Sequence, residues 1–495
     1  MRLIPAAAVA LCCALAPAAS QASPAQESLI EDEHQMLQAG PAARERALDD
    51  TVALGADGVR ALVPWAELAP PERAAGFDPA DPANYPAARW DRLDGLVRGT
   101  AARGLALLLS PSTPAPAWAS RCRRARQLCS PRGAQYGAFV RALGTRYSGG
   151  YADENEGGGP LPSVRRWSFS NEPNQPSWLR PQFARSRGIT YPAAAVAYRA
   201  MVRAGIAGLR ASGHGGDEML LGETSPIGRV TGRLATRPVP PAAFIRTLLC
   251  IDADGHALRG RAAAVRNCER PRRLRVTGFA HHPYSRGGSR PPRLRGSRRT
   301  EITIASAGRL ERLLDAGARL GRIPRRLPIH YTEFGFQTNP PDLLFGVTPA
   351  RQAEYINQSD WIAYRDERIR TVAQYKLVDD TVLSSFQSGL RFWDGVAKPA
   401  YDAYRLPLWI RRKGASRLRV YGQVRPLANG AAGRVALQNA ALGIGRFRTV
   451  RTIDVRSSNN SFLVTVPRRE GRWRLLWRAP DGTVLLSREA VTALR

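Results

Sequence analysis

The chain has 495 residues, is 44% hydrophobic and carries a formal net charge of +32. That length favours two domains over one, and no internal stretch is long and apolar enough to span a membrane. All the basic residues but Lys376, Lys398 and Lys413 are arginine, and they spread along the chain without forming a nucleic-acid stripe, so nucleic acid is excluded as the partner. Such a field instead raises encounters with anions, which makes anionic cell-envelope glycans the expected charged partner.

Arg2, the apolar run Leu3 to Ala19 and the small residues of Ser20-Gln21-Ala22 have the form of a secretory signal over residues 1–22. Leu11 before Cys12 does not suit a lipoprotein site, so a fully released, secreted protein is expected. Four cysteines remain after cleavage, in two local pairs: Cys122 with Cys129, and Cys250 with Cys268. An oxidising compartment predicts two disulfides that staple loops. Neither pair has the two-residue spacing of a zinc site, and no metal or cofactor is called for.

Ser28–Asp32 reads as a short first strand and Pro41–Leu54 as a helix. Gly58–Trp65 reads as a buried second strand, in which Arg60 is the odd residue. A buried arginine needs a carboxylate partner. Trp90–Arg103 is an amphipathic helix, and Gly104–Leu109 is the continuous apolar run of a parallel strand. Helix Tyr136–Tyr147 leads through a Gly-rich acidic loop to a fourth strand at Arg166–Ser170. Helix Tyr191–Ala211 precedes a fifth strand, Glu218–Gly222, ending in Glu223. A long excursion then carries Cys250 and Cys268. Val276–Tyr284 is the sixth strand, Leu327–Phe336 the seventh and Arg370–Leu377 the eighth. Helices are expected at Thr303–Gly317 and after Thr348-Pro349, where threonine caps and proline starts the helix. Strands alternating with helices eight times predict a (β/α)8 TIM barrel over residues 23–410. Beyond Pro407 short alternating runs separated by Asn459-Asn460 and Asp481-Gly482 predict a small C-terminal antiparallel β-sandwich, residues 415–495. No exposed aromatic platform stands out there, which favours a packing role over glycan binding.

Two strand ends carry the chemistry. Arg166–Ser170 stops at Asn171-Glu172-Pro173, and Pro173 holds Glu172 away from helical geometry. The seventh strand ends in Thr332-Glu333-Phe334-Gly335. Strand tips of a parallel barrel are where catalytic groups are built, and paired carboxylates are the machinery of glycoside hydrolysis.

On these motifs the chain resembles a clan A glycoside hydrolase, close to families 5 and 39, over roughly residues 27–410. The resemblance implies that Glu172 is the general acid/base, Glu333 the nucleophile, and the reaction a retaining hydrolysis of β-glycosidic bonds in oligo- or polysaccharides. It also places Arg60 beneath the nucleophile, and matches His282-Pro283-Tyr284 to the clan's His-x-Tyr on strand six. Asn171 is then placed to bond the sugar 2-hydroxyl, and Tyr284 to donate to Glu333. Trp65, Trp118, Trp178 and Trp393 are loop aromatics available to stack on sugar. The eighth strand departs from the clan: it carries no Trp, leaving Tyr375 or Trp393 to substitute. The loop after strand six holds Arg286, Arg290, Arg293, Arg295, Arg298 and Arg299, which predicts a preference for acidic glycans. Two rival readings stay open: a catalytically silent glycan-binding protein on the same fold, and a transglycosylase of envelope polysaccharide.

Overall fold

The structure, a computed structural model, describes residues 23, 25–121, 128–155, 159–285 and 289–493. The signal segment 1–22, Cys122 of the first expected disulfide and Arg286 of the arginine-bearing loop lie outside the described residues.

Eight parallel strands close into a barrel in chain order. They are β1 (Glu27–Glu31), β2 (Gly58–Pro64), β3 (Ala106–Ser112), β4 (Arg166–Ser168), β5 (Glu218–Thr224), β6 (Gly278–His281), β7 (Ile329–Tyr331) and β8 (Ile369–Tyr375). Their near-continuous apolar runs follow from burial on both faces, inside the barrel and under the helices. The covering helices are α1 (Pro41–Ala53), α2 (Asp91–Ala102), α3 (Gly133–Arg146), α4 (Ala193–Ala211), α5 (Pro241–Leu249), α6 (Ala307–Arg319) and α7 (Pro349–Tyr364). Thr348 caps α7 by accepting from the Arg351 N–H at 3.3 Å. Helices α3 and α4 cross closely because Gly208 has no side chain. A Cβ there would stand 2.3 Å from the Gly137 carbonyl oxygen.

The third strand starts two residues later than its apolar run suggests and continues to Ser112. Gly104, at φ +67°, takes the left-handed turn that separates it from α2. A hairpin, Ala184–Ser186 with Ile189–Tyr191, follows β4 and had no sequence signal beyond Arg187-Gly188, both at positive φ. Cys250 and Cys268 form a disulfide across the excursion after α5.

A short helix, α8 (Pro399–Arg405), leads to the second unit. Strands β9 (Leu408–Lys413), β10 (Arg417–Gln423) and β13 (Ser461–Pro467) form one antiparallel sheet, ordered β9-β10-β13. Strands β11 (Gly433–Ala440), β12 (Arg448–Val455), β14 (Gly471–Arg478), β15 (Val484–Leu486) and β16 (Ala490–Thr492) form the other, with β14 pairing β11, β15 and β16. The two sheets share a core that includes Val420, Leu437, Trp473 and Leu475. The sandwich packs on α7 and the loop before β2. Arg425 donates to Asp360 at 2.8 Å, the Tyr421 ring meets Tyr364 at 4.7 Å, and Asn429 reaches Asp57. The loop before β2 lies at the N-terminal ends of the strands, so the sandwich leaves the opposite, C-terminal rim open.

Candidate active site

The C-terminal rim gathers four carboxyl groups. Glu31 ends β1 and lies in register with Arg60 of β2. Glu172 follows β4, Glu223 belongs to the last turn of β5, and Glu333 follows β7. The backbone is unusual at two of these strand ends, those of β4 and β5. Ser170, Glu172 and Glu223 have φ of 61°, 31° and 49°. Such left-handed residues cost on the order of 1–3 kcal/mol each and persist where the surroundings fix them. Pro173 denies Glu172 the helical alternative. Asn174 locks the same turn: its Oδ1 accepts from the Ser225 N–H at 2.9 Å, and its Nδ2 donates to the carbonyls of Ser225 and Val239.

Two cations tie the carboxyls together. The fully buried Arg60 guanidinium donates from Nη1 to Glu31 and, at 3.4 Å, to Glu333, and from Nη2 to Glu223 at 3.2 Å and Asn171 Oδ1 at 2.7 Å. His282 Nε2 meets Glu223 Oε2 at 2.8 Å, while its Nδ1 lies 3.1 Å from Glu172 Oε1 and 3.3 Å from Glu333 Oε2. Tyr284 donates its hydroxyl to Glu333 Oε1 at 2.8 Å, and Thr332 donates to Glu223 Oε2 at 2.6 Å. Carboxylate oxygens of Glu172 and Glu333 stand within 4.8 Å of one another.

The charges sort by their neighbours. Burial works to raise the Glu223 carboxyl, but the Arg60 charge and the His282 hydrogen bond outweigh it and hold it at about 2. Burial would strip the proton from His282. The Glu333 charge and the hydrogen bonds to Glu172 and Glu223 overrule it and lift the ring to about 9. Burial pushes Glu333 above the ordinary carboxyl range, helped by the Glu172 charge and opposed by His282, Arg60 and Tyr284. Burial raises Glu31 well up despite its bond to Arg60. Two cations thus face four carboxyls, and the two whose protonated form burial favours are Glu31 and Glu333.

The neighbouring histidine does a different job. His281 is buried between Thr224 Oγ1 and the Ile302 carbonyl, 2.8 and 2.9 Å away, and burial pushes it down to about 3, so it is a neutral core residue. Glu172, His282 and Glu333 have donor atoms close enough to share a cation. The same atoms make the contacts of an acid–base array, His282 Nδ1 meeting both carboxyl groups.

The structure thus brings Arg60, Asn171, Glu172, His282, Tyr284 and Glu333 together. It does not bring Trp65 with them. That ring is fully buried, stacked on Phe139 at 5.0 Å and edge-on to Trp118, so Trp65 is a core residue and the expectation that it binds sugar is overturned. The side chain after Pro64 turns under α3 instead of into the cleft. Trp393 stands 63% exposed on the loop after β8 and lines, with Pro340 and Phe392, a hollow that includes none of the four carboxyls. Tyr375 is the aromatic nearer the carboxyls: after burial, the Glu333 charge is the next cause that raises its phenol. Glu223 and Glu31 are the members that sequence reasoning passed over. Their signal was the same as that of Glu172 and Glu333, a glutamate closing an apolar strand.

Glu223 acts through His282, and its replacement has a readable consequence. In Glu223→Gln the ring loses an anion that favours its charged form, so its midpoint is expected to fall below about 9. Ring-nitrogen NMR measures this directly. Glu223→Asp keeps the carboxylate and a protonated ring at neutral pH. The sign for stability follows: the raised His282 contributes fully below its unfolded value of about 6.5 and the contribution is lost as pH rises through about 9.

No family model and no curated protein matches the chain. Solved structures with a similar chain course include a GH5_18 protein from Streptomyces cattleya in complex with GlcNAc, at 18% identity and TM-score 0.47, covering 78% of this chain and 79% of that one. A GH5_18 protein from Bifidobacterium longum subsp. infantis matches at 14% identity and TM-score 0.45, covering 77% of each. The exo-β-1,4-mannosidase Op5Man5 from Opitutaceae bacterium strain TAV5 matches at 14% identity and TM-score 0.42, covering 77% of this chain and 58% of that one.

Proposed function

We propose that the protein is a secreted retaining glycosidase that cleaves β-glycosidic bonds in oligo- or polysaccharides, of the clan A type. The observation that carries the reading is the Glu172–Glu333 pair at the C-terminal rim, with carboxylate oxygens within 4.8 Å. Retaining enzymes need about 5–5.5 Å between the two groups, whereas inverting enzymes need about 6.5–9.5 Å to admit a water. The observed gap supports the first.

In the first step Glu172 gives its proton to the glycosidic oxygen as the bond from that oxygen to the anomeric carbon breaks. Glu333 attacks the same carbon and forms a glycosyl ester. In the second step Glu172, now a carboxylate, takes a proton from water, and the water oxygen displaces Glu333. Arg60, His282 and the Tyr284 hydroxyl favour ionised Glu333 against the pull of burial. Because Arg60 can only donate, it fixes the Asn171 amide with Oδ1 towards itself. The Nδ2 then remains for a sugar 2-hydroxyl, a contact that strengthens towards the transition state.

Secretion is supported by the signal-like segment 1–22 and by the Cys250–Cys268 disulfide. We assign the barrel to catalysis and the sandwich, whose first strand begins at Leu408, to packing, and place anionic cell-envelope glycans among the substrates on the +32 charge. Proton NMR of the first-formed product from a panel of aryl β-glycosides tests the reading. The β-anomer is expected first. The α-anomer first, or no turnover of any donor, would overturn it.

A further inference from the structure

Among the described residues eighteen large hydrophobic side chains are exposed, and eight of them fall within residues 343–396. They sit on the two loops that follow β7 and β8, both on the catalytic rim. Leu343 and Leu344 are each 83% exposed, with Phe345 beside them; Leu383 is 67% exposed, with Val382 and Phe386 beside it. A concentration of this kind marks an interaction surface.

The loops are built to hold these groups outward. Asp342 Oδ1 accepts from the N–H groups of Leu344 and Phe345 at 2.8 and 3.0 Å, fixing the first turn. Asp380 does the same for the second, accepting from the Phe386 N–H at 3.1 Å and from the Ser385 hydroxyl. The buried Lys398 ammonium pins the loops together, donating to Thr338 Oγ1 at 2.9 Å, Asp379 at 2.7 Å and the Gln387 carbonyl at 3.2 Å. Between them a hollow of about 260 Å³ opens, lined by Pro340, Leu383 and Trp393. The surface runs into the cleft: Phe386 packs edge-on against Tyr375 at 5.2 Å, and the Glu333 charge acts on that phenol.

We propose that these two loops dock the catalytic rim on an anionic lipid bilayer, and that the substrate there is a glycoside carried on a lipid. Three observations select lipid over a protein partner. The apolar groups project from the tips of two turns, and the hollow of about 260 Å³ between them is too small to seat a helix, which needs a groove. The chain carries +32, and the same rim holds the exposed Arg351, which opens α7 after the first loop and pairs with Glu354 at 2.8 Å, and the exposed Arg293 of the loop after β6. Basic residues near an anionic surface strengthen binding to it. The platform adjoins Glu333, so a headgroup sugar enters the cleft while its aglycone stays in the bilayer. The substrate assignment rests on the glycosidase reading; the docking itself does not.

Cosedimentation with vesicles of phosphatidylglycerol and phosphatidylcholine tests this, using the chain from residue 23 with Glu333→Gln so that binding is read without turnover. The inactive protein is expected to bind vesicles containing phosphatidylglycerol. Adding Leu343→Ser, Leu344→Ser and Phe345→Ser, or separately Val382→Ser and Leu383→Ser, is expected to weaken binding at least tenfold with the thermal unfolding midpoint unchanged. No binding by the parent protein, equal binding by the loop variants, or a dimer in solution that only those variants lose would each overturn docking. Docking without hydrolysis of any glycoside by the active protein would overturn the glycosidase reading alone.

Discussion

Glu333→Gln is expected to lower kcat by roughly 10⁴-fold or more while leaving the fold intact, because residues that act as one covalent machine fail together. The amide keeps the shape of the side chain and its bond from Tyr284, but it cannot displace a leaving group. Glu172→Gln is expected to behave differently. Loss of the general acid costs about 10²–10⁴-fold, and less for aryl glycosides whose leaving group departs without a proton. Parallel rates on aryl and alkyl β-glycosides separate the two roles. Equal losses on both leaving groups in Glu172→Gln would contradict the assignment of the acid.

Arg60→Met is expected to cost stability on a scale rare for one substitution, about 3–5 kcal/mol, the penalty for leaving buried charges unpaired. Arg60 is the shared partner of Glu31, Glu223 and Glu333 and the donor that orients Asn171. Removing it leaves Glu223 with the His282 ring and the Thr332 and Ser168 hydroxyls, and leaves the Glu31 side chain without a hydrogen-bond donor among the described residues. Arg60→Lys is expected to recover only part of the loss, since an ammonium is a single point charge and cannot span the acceptors of both guanidinium nitrogens. Denaturant unfolding of the three proteins measures this. Wild-type stability in Arg60→Met would show that the buried array contributes little to the fold.

The catalytic pair and Arg60 were legible because each breaks a pattern. Glu172 and Glu333 close apolar runs at a turn, and Arg60 is a charge inside one. The barrel was legible for a related reason, since strands buried on both faces are apolar throughout. What was not legible depends on register and direction. Glu31 enters the site because it pairs with Arg60 across β1 and β2, and Glu223 because its backbone turns left-handed at the end of β5. Neither fact can be read from one strand alone. Trp65 failed for the same reason: a tryptophan just after a strand can face the cleft or the helix layer, and here Phe139 of α3 takes it. The edge strand β9 fell outside the expected sandwich because Leu408–Lys413 precedes residue 415 and ends in the exposed Arg411-Arg412-Lys413.

The central claim is that Glu333 forms a bond to sugar. Intact-protein mass spectrometry after incubation with a panel of 2-deoxy-2-fluoro β-glycosides tests it most directly. The account predicts a mass gain of one fluorosugar that maps to Glu333 and disappears in Glu333→Gln. An adduct on another residue, or none from any donor that the enzyme is seen to hydrolyse, would contradict it.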